Sequence, residues 1–214
     1  MLYDKDIREP LFDFLEENYG RVRIFEEKNM GNSRADIVMV GTDYVMGIEI
    51  KSDADSYTRL ATQIKDYDCF FDKNLVVVGS THAKSAGEHV PEHWGILSVE
   101  LIDERVDIYC IREPKENPAS VIGEKIKLLW RPELAHIQEQ CGLYKYSDKS
   151  KDYVRQYIVD SVDSDKLNIL ISEELFERDY SRIADDIKAY RQARKPKRIV
   201  RKRTKKYRRK KKNT

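Results

Sequence analysis

Arg34-Ala-Asp-Ile-Val-Met-Val-Gly-Thr-Asp-Tyr-Val-Met-Gly-Ile-Glu-Ile-Lys51 consists of two apolar runs joined by a short segment containing Gly and Asp. Runs rich in Ile, Val and Met with such a junction read as a β-hairpin. A two-residue loop at Thr42-Asp43, or a four-residue loop from Gly41 to Tyr44, sets Gly41 across from Tyr44 and Asp36 across from Glu49. Directly opposed residues on one sheet face carry Cβ atoms roughly 5 Å apart. Lys51, two residues beyond Glu49, shares its face, while Ile48 and Ile50 point the other way towards a core.

Two facing carboxylates repel, and a sheet gains no stability from that. A bound divalent cation removes the repulsion, and hard oxygen ligands of this kind suit Mg²⁺ or Mn²⁺. A lysine beside them can hold a water or a phosphate oxygen. Asp36, Glu49 and Lys51 therefore carry the equipment for metal-assisted phosphodiester hydrolysis.

Outward from the hairpin, residues from Asp4 to Asn18 predict a helix with Ile7, Leu11, Phe14 and Leu15 on one face and Gly20 after its last turn. Arg21 to Lys28 alternates as a first strand, and Ser56 to Asp72 has the helical spacing of Leu60, Ile64 and Tyr67. Asn74 to Gly79 is a continuous apolar run, the mark of a strand buried on both faces. Reaching it through a helix demands a crossover, so the sheet is expected to be mixed. Thr81 to Val90 predicts a short helix, and Gly95 to Glu100 and Val106 to Ile111 two further strands. A boundary is placed at Glu113 to Asn117, between Pro114 and Pro118. Beyond it, Pro132 to Cys141, Lys149 to Ser161, Lys166 to Arg178 and Arg182 to Arg194 all read as helices.

The chain resembles the PD-(D/E)XK nuclease superfamily at Asp36 and Glu49-Ile50-Lys51, an Asp followed on the next strand by Glu-x-Lys. Gln63-Ile-Lys-Asp-Tyr67 is similar to the Gln-x-x-x-Tyr motif of its RecB-like exonuclease branch. From Asp6 to Ile96, about half of the chain, the sequence looks like a bacterial and phage group within that superfamily; shared residues include Arg34-Ala35-Asp36, Arg59-Leu60 and Val76-Val77-Val78-Gly79. Ala35 stands where the motif has Pro. The resemblance implies an α/β fold with a restriction-endonuclease-like αβββαβ core and a mixed sheet. It implies a Mg²⁺- or Mn²⁺-dependent deoxyribonuclease in which Asp36, Glu49 and the backbone carbonyl of Ile50 bind the metal and Lys51 activates water. Glu17 or Glu26 is the candidate for a further ligand, Gln63 for contact with the lysine or a scissile phosphate, and Arg59 for a phosphate contact. The alternative is a nucleic-acid-binding accessory protein without turnover. Exonuclease, endonuclease and resolvase activities all stay open.

The expected organisation is a nuclease-like domain at 1–113, a helical lobe at 118–190 and a basic tail at 191–214. Overall, the 214 residues are 36% charged with a net charge of +2, which conceals a sharp asymmetry. The last 24 residues hold 15 Lys or Arg and no acid, leaving 25 basic against 38 acidic residues before them, a net of −13. Such a tail cannot form a core and is expected to stay extended and disordered. Arg198, Arg201, Lys202, Arg203, Lys205, Lys206, Arg208 and Arg209 are its candidate contacts to DNA, with RNA also open, driven by counterion release.

Cys69, Cys110 and Cys141 show no Cys-x-x-Cys spacing and read as reduced cytoplasmic thiols. His82, His89, His93 and His136 lack close metal spacing. No run reaches the length of a membrane span, and the first residues lack signal-peptide order.

Overall fold

The structure is a computed structural model that describes residues 2–179. Among them, six strands form one mixed sheet in sequential order: β1 (Arg23–Met30), β2 (Ser33–Val40), β3 (Val45–Lys51), β4 (Lys73–Gly79), β5 (Gly95–Ile102) and β6 (Arg105–Arg112). Strands β1 to β3 are antiparallel, β3–β4 and β4–β5 are parallel, and β6 returns antiparallel to β5. The parallel pairs need crossovers. These are supplied by α2 (Leu60–Phe70), entered through a single 3₁₀ turn at Tyr57–Arg59, and by the short α3 (Ala86–His89).

The sheet is covered on both faces. Helix α1 (Asp4–Tyr19) lays Ile7, Leu11 and Leu15 against Ile37, Met39, Met46, Ile48, Ile50, Leu75 and Val77. The opposite face carries α2 together with α4 (Ile122–Lys125), α5 (Arg131–Gln140), α6 (Lys151–Ser161) and α7 (Ser164–Phe176). Strands β3 and β4 are buried on both faces, as the continuous apolar run of β4 requires, and β3 carries Glu49 and Lys51 into that setting.

Residues 1–179 form one compact unit. Ile126, Leu134, Ile137, Val154, Ile158, Leu167 and Ile171 share a single apolar cluster with Val38, Tyr67 and Trp94. The segment from Glu113 to Asn117 is therefore a connection inside that unit, and the boundary expected there does not divide two lobes. The reason is local: Asn117 donates to the Asp68 and Phe71 carbonyls and its N–H to Asp72 O, tying the connection to the end of α2. The helix expected at 182–194 and the basic tail, including Arg198, Arg201, Lys202, Arg203, Lys205, Lys206, Arg208 and Arg209, lie outside the described residues.

Smaller differences have physical causes. The first strand starts at Arg23 rather than Arg21, because Gly20 adopts φ +73 at the end of α1 and the chain needs two residues to turn into the sheet. Between Thr81 and Val90 only Ala86–His89 is α-helical. The preceding residues form turns closed by bonds from His82 N–H to Gly79 O and from Ser85 N–H to His82 O.

Candidate active site

The β2–β3 hairpin has the register that the sequence predicts: Ile37 pairs with Ile48, Val38 with Gly47, Met39 with Met46 and Val40 with Val45. Gly41 N–H donates to Tyr44 O at 2.9 Å, closing the four-residue connection from Gly41 to Tyr44. The ladder stops at Ile37–Ile48, one step short of Asp36 and Glu49. There the Asp36 carboxylate takes over the role of a backbone acceptor, and Ile50 N–H donates to its Oδ2 at 2.9 Å.

Strand alternation breaks at this point. Ala35 packs in the α2-side cluster and Ile37 in the α1-side cluster, although they are two residues apart. Glu27, opposite Asp36 in the β1–β2 register, has φ +52, an unusual value for a non-glycine residue. The two irregularities together free Asp36 from strict alternation, so its side chain reaches sideways to β3.

Glu49 and Lys51 project from β3 towards α2, where Gln63 and Tyr67 meet them. Lys51 Nζ donates to Glu49 Oε1 and, at 3.2 Å, to Gln63 Oε1. Gln63 Nε2 donates to Glu49 Oε1 at 2.6 Å, and Tyr67 OH donates to Glu49 Oε2 at 2.7 Å. Glu49 is 1% exposed and Lys51 6%, so this ion pair is held by hydrogen bonds in a nearly dry setting. Gly47 makes the approach of α2 possible: a Cβ there would lie 2.2 Å from the Phe71 ring and 2.6 Å from that of Tyr67.

These groups open into a cavity of about 480 Å³ lined by Asp36, Glu49, Ile50, Lys51, Arg59 and Gln63, with Asp4, Asn32, Ser33, Arg34, Asp55 and Thr62 completing the wall. Burial and the neighbouring Glu49 carboxylate push the Asp36 carboxyl up from 3.8 to about 7, against the opposing effects of the Ile50 N–H and Lys51. Asp36 Oδ1 accepts no hydrogen bond among the described residues. Arg59 is exposed at the cavity wall and has no ion pair among the described residues.

The structure brings neither tentative further ligand into the cavity. Glu17 is exposed on α1 near its far end, and Glu26 is 52% exposed and paired with Arg8 at 2.9 Å. Helix α1 instead contributes Asp4, its first residue, which is held by Arg8 Nε at 2.5 Å. Sequence reasoning passed over Asp4 because only the tertiary packing brings that end of α1 to the mouth of the hairpin. Tyr67 was expected on an apolar stripe. It is fully buried there, but its hydroxyl also fixes Glu49, a role its spacing of four from Gln63 could have signalled.

Asp53 and Asp55, just past β3, serve the loop there. Asp55 accepts from Ser52 N and Oγ, and Asp53 from Thr81 Oγ1 and Leu2 N. The histidines make ordinary contacts: His93 with Asp68, His136 with Glu174, and His82 and His89 with the Tyr57 ring.

Among the described residues, no group of three or more His, Cys, Asp or Glu side chains is arranged to hold a metal. The side-chain oxygen donors at the cavity are the carboxylates of Asp36 and Glu49, and both Glu49 oxygens already accept from Lys51, Gln63 and Tyr67. No helix among the described residues is long and apolar enough to cross a membrane.

No curated protein and no solved structure matches the chain. A family model described as Bacteriophage P4 protein cII matches residues 2–196. Because that match runs through nearly the whole sequence, the protein belongs to the Bacteriophage P4 protein cII family.

Proposed function

We propose that the protein is a metal-dependent nuclease that hydrolyses phosphodiester bonds of DNA at the Asp36–Glu49–Lys51 cavity, on a sheet equivalent to the PD-(D/E)XK core. The observation that carries the reading is the convergence of two carboxylates, a buried lysine and a helix-borne glutamine on one polar cavity. The order α1-β1-β2-β3-α2-β4 also supports it, since it matches the order that the resemblance implies.

Asp36, Glu49 and the Ile50 carbonyl would hold Mg²⁺ or Mn²⁺, with neither Glu17 nor Glu26 taking part. When bound, the cation supplies Lewis-acid stabilisation of charge on the phosphate and lowers the pKa of a nearby water. The Lys51 ammonium, held between the Gln63 amide oxygen and Glu49, orients that water and stabilises the hydroxide formed as the proton passes to solvent. Arg59 at the wall contacts a phosphate. The water oxygen bonds to phosphorus, the bond to the leaving sugar oxygen breaks, and that oxygen takes up a proton.

A second reading is a nucleic-acid-binding protein without turnover on the same fold. It is favoured by the state of Glu49, both of whose oxygens accept from protein donors.

One experiment separates the two. Single- and double-stranded DNA and RNA are incubated with the wild type, Glu49→Gln and Lys51→Ala, in Mg²⁺, Mn²⁺ or chelator. The nuclease reading expects ion-dependent cleavage that falls roughly 10²-fold or more in either variant. Cleavage of equal rate in the wild type and Glu49→Gln excludes this cavity as its source.

A further inference from the structure

A second charged cluster lies away from the carboxylates, where β1 meets α5, α6 and the end of α7. Arg178, 1% exposed, forms a two-point pair with Glu133, Nε to Oε1 at 2.6 Å and Nη2 to Oε2 at 2.8 Å. Its guanidinium stacks 4.3 Å from the centre of the Trp130 ring, and Lys28 Nζ lies 5.4 Å from the same ring. Lys151 and Arg155 approach from α6, close enough for Lys151 to feel Arg155, Glu133 and Arg178. Glu133 is thus the shared countercharge of Arg178, Lys28 and Lys151. Arg155 has a partner in Asp152, which is 84% exposed and so contributes little.

The cluster is also short of acceptors. Lys28 and Lys151 have no ion pair among the described residues. Arg178 Nη1 and Arg155 Nε are buried without a hydrogen-bond partner. A cluster serving only to stabilise the fold is expected to satisfy such donors, since each buried unpaired group costs about 1–3 kcal/mol. Burial and neighbouring cations lower Lys28 and Lys151 to about 8. An oxyanion at Lys28 and Lys151 neutralises the crowded charge, with the enclosed Arg178 guanidinium adding to the positive field behind them rather than making a contact.

We propose that Lys28 and Lys151, backed by the buried Arg178 and by Arg155, form an anion site that takes a backbone phosphate of a nucleic acid whose strand also enters the carboxylate cavity. This rests on the nucleic-acid reading above but not on turnover. Position favours a strand over a small phosphate compound. Lys28 pairs with Ala35 in the β1–β2 hairpin, and Asn32 of its turn walls the cavity together with Ser33 and Arg34 at the start of β2. Strand geometry sets the Lys28 and Asp36 Cα atoms roughly 6 Å apart. The two sites therefore lie within a few nucleotides of one another, at ~3.4 Å of rise each. The half-buried Trp130 ring under Lys28 fixes the ammonium without neutralising it.

The test uses the full chain and labelled oligonucleotides in chelator, so that binding is read without cleavage. Lys28→Gln/Lys151→Gln should weaken binding about tenfold or more and reduce the salt slope by about one, the loss of one phosphate contact. Lys28→Arg/Lys151→Arg should retain most of the affinity. The melting temperature of the Gln variant should hold or rise, because mutual repulsion is removed; a merely structural role predicts a fall. A parallel titration with inorganic phosphate, followed by lysine side-chain NMR, separates the sources. Saturable phosphate binding with unchanged oligonucleotide affinity assigns the site to a small phosphate compound and overturns the proposal. Unchanged oligonucleotide affinity and salt slope, with no response to phosphate, overturn it as well. A loss of binding in the Gln variant, beside cleavage that is absent in every condition, upholds the anion site while defeating the nuclease reading.

Discussion

Replacing Asp36 by Asn is expected to stabilise the metal-free protein at neutral pH while removing its function. In the fold, the Asp36 carboxyl is raised from 3.8 to about 7 by burial and by the facing Glu49. The folded state then holds a proton that the unfolded chain has released. Stability from this group is full below about pH 4, falls as pH rises towards 7, and is flat above. A shift of about three units corresponds to about 4 kcal/mol as a ceiling, and coupling to Glu49 and relaxation around the cavity reduce that to roughly 2 kcal/mol. Asn keeps an oxygen for the Ile50 N–H, now 2.9 Å from Oδ2, and loses the charge. In chelator, urea unfolding from pH 3.5 to 8 should show Asp36→Asn about 2 kcal/mol more stable at pH 8, with the two proteins converging near pH 3.5. For a chain of this size that is a difference of about 4–8 °C in melting temperature. Added Mg²⁺ should close the gap at pH 8 by stabilising the wild type alone. Parallel curves across the whole pH range would refute the account of a strained carboxylate pair.

Tyr67→Phe keeps the ring contacts with Phe71 and Trp94 but removes the donor to Glu49 Oε2 and Ile48 O. It should cost roughly 1.5–3 kcal/mol in urea unfolding, the range for a hydrogen bond to a charged group; a loss under 0.5 kcal/mol would show that the hydroxyl does not hold Glu49. Ending the chain after Tyr190 removes 15 cations, leaving a body of net −13. Oligonucleotide affinity should fall steeply at low salt and its salt dependence should flatten, whereas unfolding of the body stays unchanged; an unaltered salt slope removes the tail from the binding account.

The sequence by itself determined the local order of this protein. The Gly-Thr-Asp-Tyr junction, read as a two- or four-residue loop, gives the observed hairpin register, which keeps Ile37, Met39, Met46 and Ile48 on one face; a one-residue slip would carry all four to the other. The unbroken run through β4 announced a strand buried on both faces, and helical spacing placed Gln63 and Tyr67 on one side of α2. What depends on neighbours distant in the chain was decided only by the tertiary structure. Strand parity groups Glu26 with Val22 and Ile24, yet parity does not reveal where a covering helix ends, and Glu26 is 52% exposed and paired with Arg8. Nothing in the sequence marks Asp4 beyond its place at the start of the first predicted helix, and the packing of α1 brings it to the cavity wall. The helices after residue 118 read as a separate lobe because their amphipathic stripes do not name a partner. The partner is the same sheet that carries Asp36 and Glu49, and burying those stripes on it makes one core.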